Sequence, residues 1–251
     1  MQPGFDSQQP DKRKERECWE HSPAPKEAKS EFDSRHPDMA NKKNKPIILD
    51  EIGKFVYESG ILSKTPRSGL WFLGTGAQSV AEHSLRTAYI TYALCYLVPE
   101  AKKEKAILMA LFHDFAEGRT SDLNYVHQRY GRLAENNAFS DIAKSVPFGE
   151  EMHELYGEEQ AKETLEARIV KDADQLEWLA TLREEGVKGN LKAKKWADIA
   201  YKRLKTSEGK KLGKILLKIH PDDWWFEASD TWFVDRKQKD QGWGNGKKKK
   251  K

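Results

Sequence analysis

Three side chains of the kinds that bind metal ions or move protons stand close together near the middle of the sequence: His113, Asp114 and Glu117. They follow the apolar run 107–111, in a pattern that predicts the end of a buried helix over 103–117. Residues three and four apart share one helix face, so the three side chains are expected on neighbouring parts of that face. Buried polar groups are costly without a partner, and imidazole beside carboxylate suits a divalent cation.

Two further candidate ligands lie on other predicted helices. His83 is in the first turn of a helix predicted over 80–98, and Asp174 adjoins the apolar stripe of a long helical stretch, 150–185. The order is His, His-Asp, Asp, with gaps of 30 and 60 residues, and each gap is long enough for the chain to return to one bundle core. Two histidines and two carboxylates suit a transition-metal ion better than Ca²⁺. Spacing alone leaves the alternative open, because a lone histidine in an apolar helix is usually a core residue.

The elements that must position these residues are all helical. Apolar residues repeat at helical spacing, with turn signals between the repeats, and no segment shows strand alternation. Ser79 with Glu82 predicts a capping box at the start of 80–98, and Asp50 is a candidate cap for the first helix. We therefore predict one all-α helical bundle domain over residues 46–235, with helices at 50–60, 80–98, 103–117, 132–144, 150–185, 192–204 and 208–219.

Three more candidate site residues lie in segments predicted as loops. Arg67 and Trp71 occur in 65–76, which Pro and Gly residues interrupt, and Asp122 follows in 119–127. Arg67 and Trp71 are compatible with a surface arginine beside a core-packing aromatic. They are equally compatible with a substrate lip in which Arg binds phosphate and Trp contacts a flat ring or sugar. Asp122 is compatible with the cap of a short helix that follows it.

Composition favours a cytoplasmic protein with charged tails. No apolar run reaches the roughly 18 residues of a membrane span, and the N-terminus lacks the apolar core of a secretory signal. The two cysteines, Cys18 and Cys95, lie in dissimilar segments and are not expected to pair. We predict disordered tails at 1–45 and 236–251. The second tail holds a concentrated positive charge, so the domain itself has no basic excess and we do not expect nucleic acid as a partner.

Four short motifs, taken together, resemble those of the HD-domain metal-dependent phosphohydrolase superfamily. The resemblance is closest to the branch of small 5′-deoxynucleotidases and runs from about residue 49 to residue 225. It rests on Ser79-Val80-Ala81-Glu82-His83-Ser84, His113-Asp114-Phe115-Ala116-Glu117, Ser121-Asp122-Leu123 and Val170-Lys171-Asp172-Ala173-Asp174-Gln175-Leu176-Glu177. The segment Pro66-Arg67-Ser68-Gly69 with Trp71 also resembles that branch, although the family has its Arg and Trp nearly adjacent.

The resemblance implies a role for each candidate residue. It implies that one divalent ion (Mn, Co, Mg, Fe, Ni or Zn) binds to His83, His113, Asp114 and Asp174. It implies further that Glu117 positions or activates the attacking water, that Asp122 is a second active-site acid, and that Arg67 and Trp71 contact the substrate. The expected reaction is removal of the 5′-phosphate from (deoxy)nucleoside monophosphates by metal-activated water, and the resemblance also favours a homodimer.

Two other functions are compatible with the same motifs. An HD-type phosphodiesterase or nucleotide triphosphohydrolase would keep the metal site and change the reaction. Such enzymes often have wider or more basic pockets, whereas only Arg67 and Arg119 are evident as anion contacts near the motifs. A non-catalytic helical module that binds nucleotides is the third hypothesis, and the intact set of His and Asp ligands argues against it.

Overall fold

The computed structural model describes residues 45–226, with side chains from residue 48. Its helices are α1 (Lys45–Ser59), α2 (Gly69–Leu73), α3 (Val80–Leu97), α4 (Lys103–Phe112), α5 (Glu117–Thr120), α6 (Tyr125–Gln128), α7 (Glu135–Lys144), α8 (Gly149–Ala161), α9 (Leu165–Val187), α10 (Leu191–Arg203) and α11 (Ser207–Lys218), with a 3₁₀ turn at Gly60–Ser63. Pairing between extended residues in this range is limited to the isolated bridge of Pro66 with Ser79. The all-α prediction is therefore confirmed for the described residues.

The predicted domain limits are only partly covered by the structure. The predicted tails 1–45 and 236–251 lie outside the described residues, apart from Lys45, and so does the segment 227–235. The boundaries of the domain therefore stay a prediction. Among the helices of residues 45–226, none combines the length and the apolar character that crossing a bilayer requires.

Helix α9 forms the centre of the bundle. It packs against α3, α4, α8, α10 and α11. Its apolar stripe is almost wholly inaccessible to solvent, because it contributes Ile169 and Leu176 to one apolar cluster and Leu179 and Leu182 to another. Burying a large aliphatic side chain contributes about 1.5–3 kcal/mol, so this helix anchors the elements around it. Asp174 therefore has a fixed backbone.

Helix α3 begins with the capping box that the sequence predicts. Ser79 Oγ accepts a hydrogen bond from the backbone N–H of Glu82, and the carboxylate of Glu82 accepts one from the backbone N–H of Ser79 at 2.6 Å. This reciprocal capping box satisfies N–H groups that have no partner within the helix. The predicted capping box is confirmed, and it fixes the helical turn that carries His83.

The helix predicted over 103–117 is interrupted, which changes how its polar residues are held. Helix α4 ends at Phe112 and α5 begins at Glu117. Between them, Phe115 N–H donates to the carbonyl of Phe112 and Glu117 N–H to that of Asp114, at 3.1 and 3.0 Å. These i→i+3 bonds make a tighter turn than an α-helix. The prediction of one continuous helix face was wrong, and a turn carries His113 and Asp114.

Two predicted helix caps were also wrong. Asp50 lies inside α1, where it pairs with Lys54 at 2.5 Å on the exposed surface, because the helix begins earlier, at Lys45. Asp122 does not cap α6. Asn124 does, since its side-chain oxygen accepts from two backbone N–H groups at the start of that helix.

Two predicted segments also differ from those in the structure. The segment predicted as a loop at 65–76 contains the short helix α2. The long stretch 150–185 is divided at Lys162, where the backbone adopts a positive φ of 58°, and Thr164 caps the helix that follows. Gly157 does not interrupt the first part of this stretch, since it lies within α8.

Candidate metal centre

Two imidazole rings face each other inside the bundle. The Nδ1 atom of His83 lies 2.5 Å from a carboxylate oxygen of Glu177, and the Nδ1 atom of His113 lies 2.8 Å from the carbonyl oxygen of Ala110. Both partners only accept hydrogen bonds, so each neutral ring carries its proton on Nδ1. The two Nε2 atoms, 3.3 Å apart, then present lone pairs to the same space.

Two carboxylates approach the same nitrogen atoms. Asp114 Oδ2 lies 3.4 Å from His83 Nε2 and 3.2 Å from His113 Nε2, and Asp174 Oδ1 lies 3.4 Å from His83 Nε2. Within the described residues, His83, His113 and Asp174 can offer ligand atoms that all lie within 4.8 Å of one another. Asp114 contacts both histidines, but its oxygen is shared with Arg67. The structure thus brings together all four residues predicted to bind a metal.

The protonation of this cluster shows how strongly it attracts positive charge. Burial alone would lower the pKa of His83, but hydrogen bonds to Asp114, Asp174 and Glu177 outweigh burial and raise that pKa well above its usual range. Burial would raise the pKa of Asp114, but the neighbouring imidazoles hold it well below its usual range, and Lys171 and His83 do the same for Asp174. The donor set, with each outer nitrogen oriented by an acceptor, fits a divalent cation.

Glu117 lies beside this cluster, and one of its carboxylate oxygens has no hydrogen-bond partner. Its Oε2 atom is buried without a hydrogen-bond partner and lies 4.0 Å from Nη1 of Arg67. Burial, reinforced by the negative charge of Asp114, raises the pKa of Glu117 to about 10. Because a buried polar atom without a partner is costly, this oxygen marks a place where a ligand or water fits.

Arg67 and Asp122 form a second charged contact next to the candidate metal ligands. Nη1 of Arg67 donates to Asp122 Oδ1 at 3.1 Å and to Asp114 Oδ2 at 3.2 Å. Asp122 also accepts from the backbone N–H of Ser68 at 2.6 Å, and the Ser68 hydroxyl donates to the Asp122 carbonyl at 2.8 Å. Asp122 therefore orders the Arg67 segment and holds its guanidinium at the site.

A cavity of about 610 Å³ opens beside these residues. Six of the predicted site residues line it: Arg67, His113, Asp114, Glu117, Asp122 and Asp174. Trp71 is not among the lining residues, since it is 61% exposed on α2 with its ring 6.4 Å from that of His127. Arg119 is bound to Glu58 at 2.5 Å, away from the cavity.

A comparison with known protein families identifies the family to which a protein with this site belongs. The HD domain family matches residues 59–216, more than half of the chain. The chain belongs to the HD domain family. The resemblance inferred from the motifs is therefore confirmed, and the matched range runs from the turn before Arg67 to α11, so it includes every candidate site residue.

Curated relatives and a solved structure agree with this HD domain assignment. The chain is 31% identical over 133 residues to 5′-deoxynucleotidase hdd1 of Schizosaccharomyces pombe, covering 49% of this chain and 66% of that protein. It is 26% identical over 137 residues to 5′-deoxynucleotidase HDDC2 of Homo sapiens, covering 52% and 66%. The chain thus spans just under two thirds of these relatives. A conserved hypothetical protein from Pyrococcus furiosus is similar in structure, with a TM-score of 0.55 and 30% identity over 67% of this chain and 96% of that one.

The HD domain site contains contributors that the motifs alone did not assign. Glu177 was noted only as an acid beside Asp174, yet it is completely buried and holds His83. Its other oxygen accepts from Arg86 Nε at 2.8 Å and from Gln78 Nε2 at 2.6 Å. The sequence carried one usable signal: Glu177 lies three residues after Asp174, and therefore on the same side of a buried helix.

Proposed function

We propose that this HD domain protein is a divalent-metal-dependent phosphohydrolase that removes the 5′-phosphate from (deoxy)nucleoside monophosphates. The observation that carries the proposal is the convergence of the Nε2 atoms of His83 and His113 with two carboxylates, next to Arg67 and beside a cavity. The two relatives named 5′-deoxynucleotidases support the choice of substrate. A cytoplasmic location and a homodimer stay predictions.

The residues around the cluster suggest a division of roles. His83, His113, Asp114 and Asp174 would hold the ion, and the identity of that ion stays open among Mn, Co, Mg, Fe, Ni and Zn. A divalent cation there would supply Lewis-acid chemistry, lowering the pKa of water and polarising a phosphoryl oxygen. Arg67 would offer its guanidinium to the phosphate, which would compete with Asp114 and Asp122 for the same donors.

Glu117 would accept the proton of the attacking water. That role needs the ionised carboxylate, whereas the pKa of about 10 keeps the acid protonated near neutral pH in the absence of a cation. A nearby positive charge favours the ionised form, so cation binding would prepare the base. Asp122 would act through Arg67, by fixing its guanidinium beside the phosphate.

One observation favours the alternative of a triphosphohydrolase or phosphodiesterase. Four cationic side chains line the cavity in addition to Arg67: Lys162, Lys171, Arg203 and Lys205. Additional cationic side chains are what a substrate with several phosphates requires. The same cavity is also lined by six carboxylates, those of Asp114, Glu117, Asp122, Glu135, Glu159 and Asp174. The non-catalytic alternative is disfavoured by the intact ligand set.

Substrate profiling separates these functions. The purified protein is stripped of metal, refilled with Mn²⁺, Co²⁺ or Mg²⁺, and given deoxynucleoside monophosphates, triphosphates and a cyclic dinucleotide. Inorganic phosphate released only from monophosphates is the expected result. Pyrophosphate or triphosphate release, or cleavage of the cyclic dinucleotide, would favour the alternative. Nucleotide binding without turnover in any metal would refute the enzymatic proposal.

A further inference from the structure

Lys162, one of the residues that line the cavity, has an unusual backbone conformation. Lys162 ends α8 in the left-handed conformation, with φ of 58°, where glycine is the residue normally favoured. Its side chain is 33% exposed, lines the cavity and pairs with Glu159, which is 2% exposed. The conformation thus places a half-buried ammonium group at the edge of the active-site cavity.

A second ammonium group lines the same cavity. Lys171 of α9 donates to Asp174 Oδ2 at 2.8 Å and also lines the cavity. Burial lowers the pKa of Lys162, and the charge of Lys171 lowers it further, while Glu159 opposes both effects. Both lysines line the same cavity, so an anion bound there would be attracted by two positive charges.

The partner of Lys171 is one of the candidate metal ligands. When Asp174 binds a cation, its negative charge is shared with that cation, and Lys171 loses most of the attraction that holds it there. Lys171 then becomes available to another anion. For the scissile phosphate the cavity already offers Arg67, which contacts Asp114 and Asp122, whereas Lys171 contacts Asp174. The lysine pair is thus a separate place for negative charge in the same cavity.

We propose that Lys162 and Lys171 form a second anion subsite, which binds a phosphate group of the nucleotide other than the 5′-phosphate to be hydrolysed. This inference rests on the proposed function, since the cavity must bind a nucleotide. The ligand class is a nucleotide with two separate phosphate charges. Such a ligand is either a 3′,5′-bisphosphate or a 5′-diphosphate, and the two are distinguished by experiment.

Calorimetric titration of the Mn²⁺-loaded protein tests the subsite. A Glu117→Gln background slows turnover, and chromatography after each titration checks that the nucleotide is intact. The ligands are dAMP, deoxyadenosine 3′,5′-bisphosphate and dADP. We expect one of the two doubly phosphorylated ligands to bind about tenfold or more tightly than dAMP, because a charge-assisted contact is among the strong hydrogen bonds. Which of them gains identifies the position of the second phosphate.

Substitution of Lys162 provides the decisive comparison. Lys162→Gly suits the positive φ and should keep the fold, which thermal unfolding checks. It should remove most of the advantage of the second phosphate and leave dAMP within about twofold, whereas Lys162→Arg should restore the advantage. Lys144→Ala, an exposed lysine of α7, is the matched control and should change nothing.

Three results would overturn the subsite: equal affinity for all three ligands, an equal loss for all three in Lys162→Gly, or the same loss in Lys144→Ala. Failure of the proposed function is seen separately, as the absence of phosphate release from dAMP by the unsubstituted protein with any metal.

Discussion

Replacing Glu177 by glutamine should weaken metal binding although Glu177 is not a candidate ligand. Its Oε2 atom accepts the Nδ1 proton of His83 at 2.5 Å, and its Oε1 atom accepts from Arg86, Gln78 and Thr181. Burial alone would raise the pKa of Glu177, but the hydrogen bond to His83 and the charge of Arg86 lower it to about 2. The group is thus a fully ionised acceptor that fixes the His83 tautomer.

A glutamine side chain has one acceptor oxygen, so it cannot accept hydrogen bonds both from His83 and from the donors on its other side. Its carbonyl oxygen matches the donors from Arg86, Gln78 and Thr181, which turns its NH₂ group toward Nδ1 of His83. A donor at that position favours the tautomer with the proton on Nε2, where the cation must bind. Loss of such an outer partner typically costs about 10–100-fold in metal affinity, or about 1.4–2.8 kcal/mol.

Chelator competition with Mn²⁺ or Ni²⁺ measures this loss. Glu184→Gln is the matched control, because Glu184 contacts Arg86 at 2.6 Å from the exposed side and does not touch His83. Its metal affinity should stay within about twofold of the unsubstituted protein. Saturating metal should restore much of the activity of Glu177→Gln. If folded Glu177→Gln bound metal as tightly as the unsubstituted protein, the argument from the His83 tautomer would be refuted.

Two further predictions concern the candidate ligands and the acid beside them. His113→Ala should abolish metal binding, whereas Glu117→Ala should keep the metal, measured by elemental analysis, and lose about 10²–10⁴-fold in kcat; full activity in Glu117→Ala would contradict its role. In metal-free protein the raised pKa of Glu117 means that the folded state binds an extra proton. Stability should therefore fall as pH rises from 6 to 8, by up to about 1.4 kcal/mol per pH unit relative to Glu117→Gln. Denaturant unfolding with a chelator measures this difference, and parallel pH profiles for the two proteins would contradict it.

The parts of the fold that could be predicted are those governed by local chemistry. Ser79 and Glu82 form the predicted capping box because its hydrogen bonds join residues only three apart. The end of α4 at Phe112 could not be found in this way, since the apolar and polar residues of 103–117 continue at helical spacing. The break between α8 and α9 could not be found either, because the residue with the positive φ is Lys162 and not a glycine.

In the candidate site, too, the sequence indicated which residues come together but not the contacts between residues far apart in the chain. The sequence order of His83, His113 and Asp174 was compatible with their convergence, and the resemblance of the motifs around them to HD-domain proteins made that convergence a prediction. In the structure their ligand atoms lie within 4.8 Å of one another. Which side chains orient them was not predictable, since Glu177 reaches His83 across 94 residues. Trp71 illustrates the limit for loops: its residue type suits a nucleoside, but the turn of α2 exposes it outside the cavity.

The charge of the cavity is the feature that sequence reasoning described least well. Only Arg67 and Arg119 were expected as anion contacts, because they lie near the motifs. Arg119 pairs with Glu58 instead, and the lysines that line the cavity come from the end of α8, from α9 and from the segment between α10 and α11. Electrostatic interactions act through space, so the end of one helix and the face of the next can combine into one positive wall. Under the proposal of a second anion subsite, the number of phosphates that the cavity accepts depends on the break at Lys162 as well as on the metal ligands.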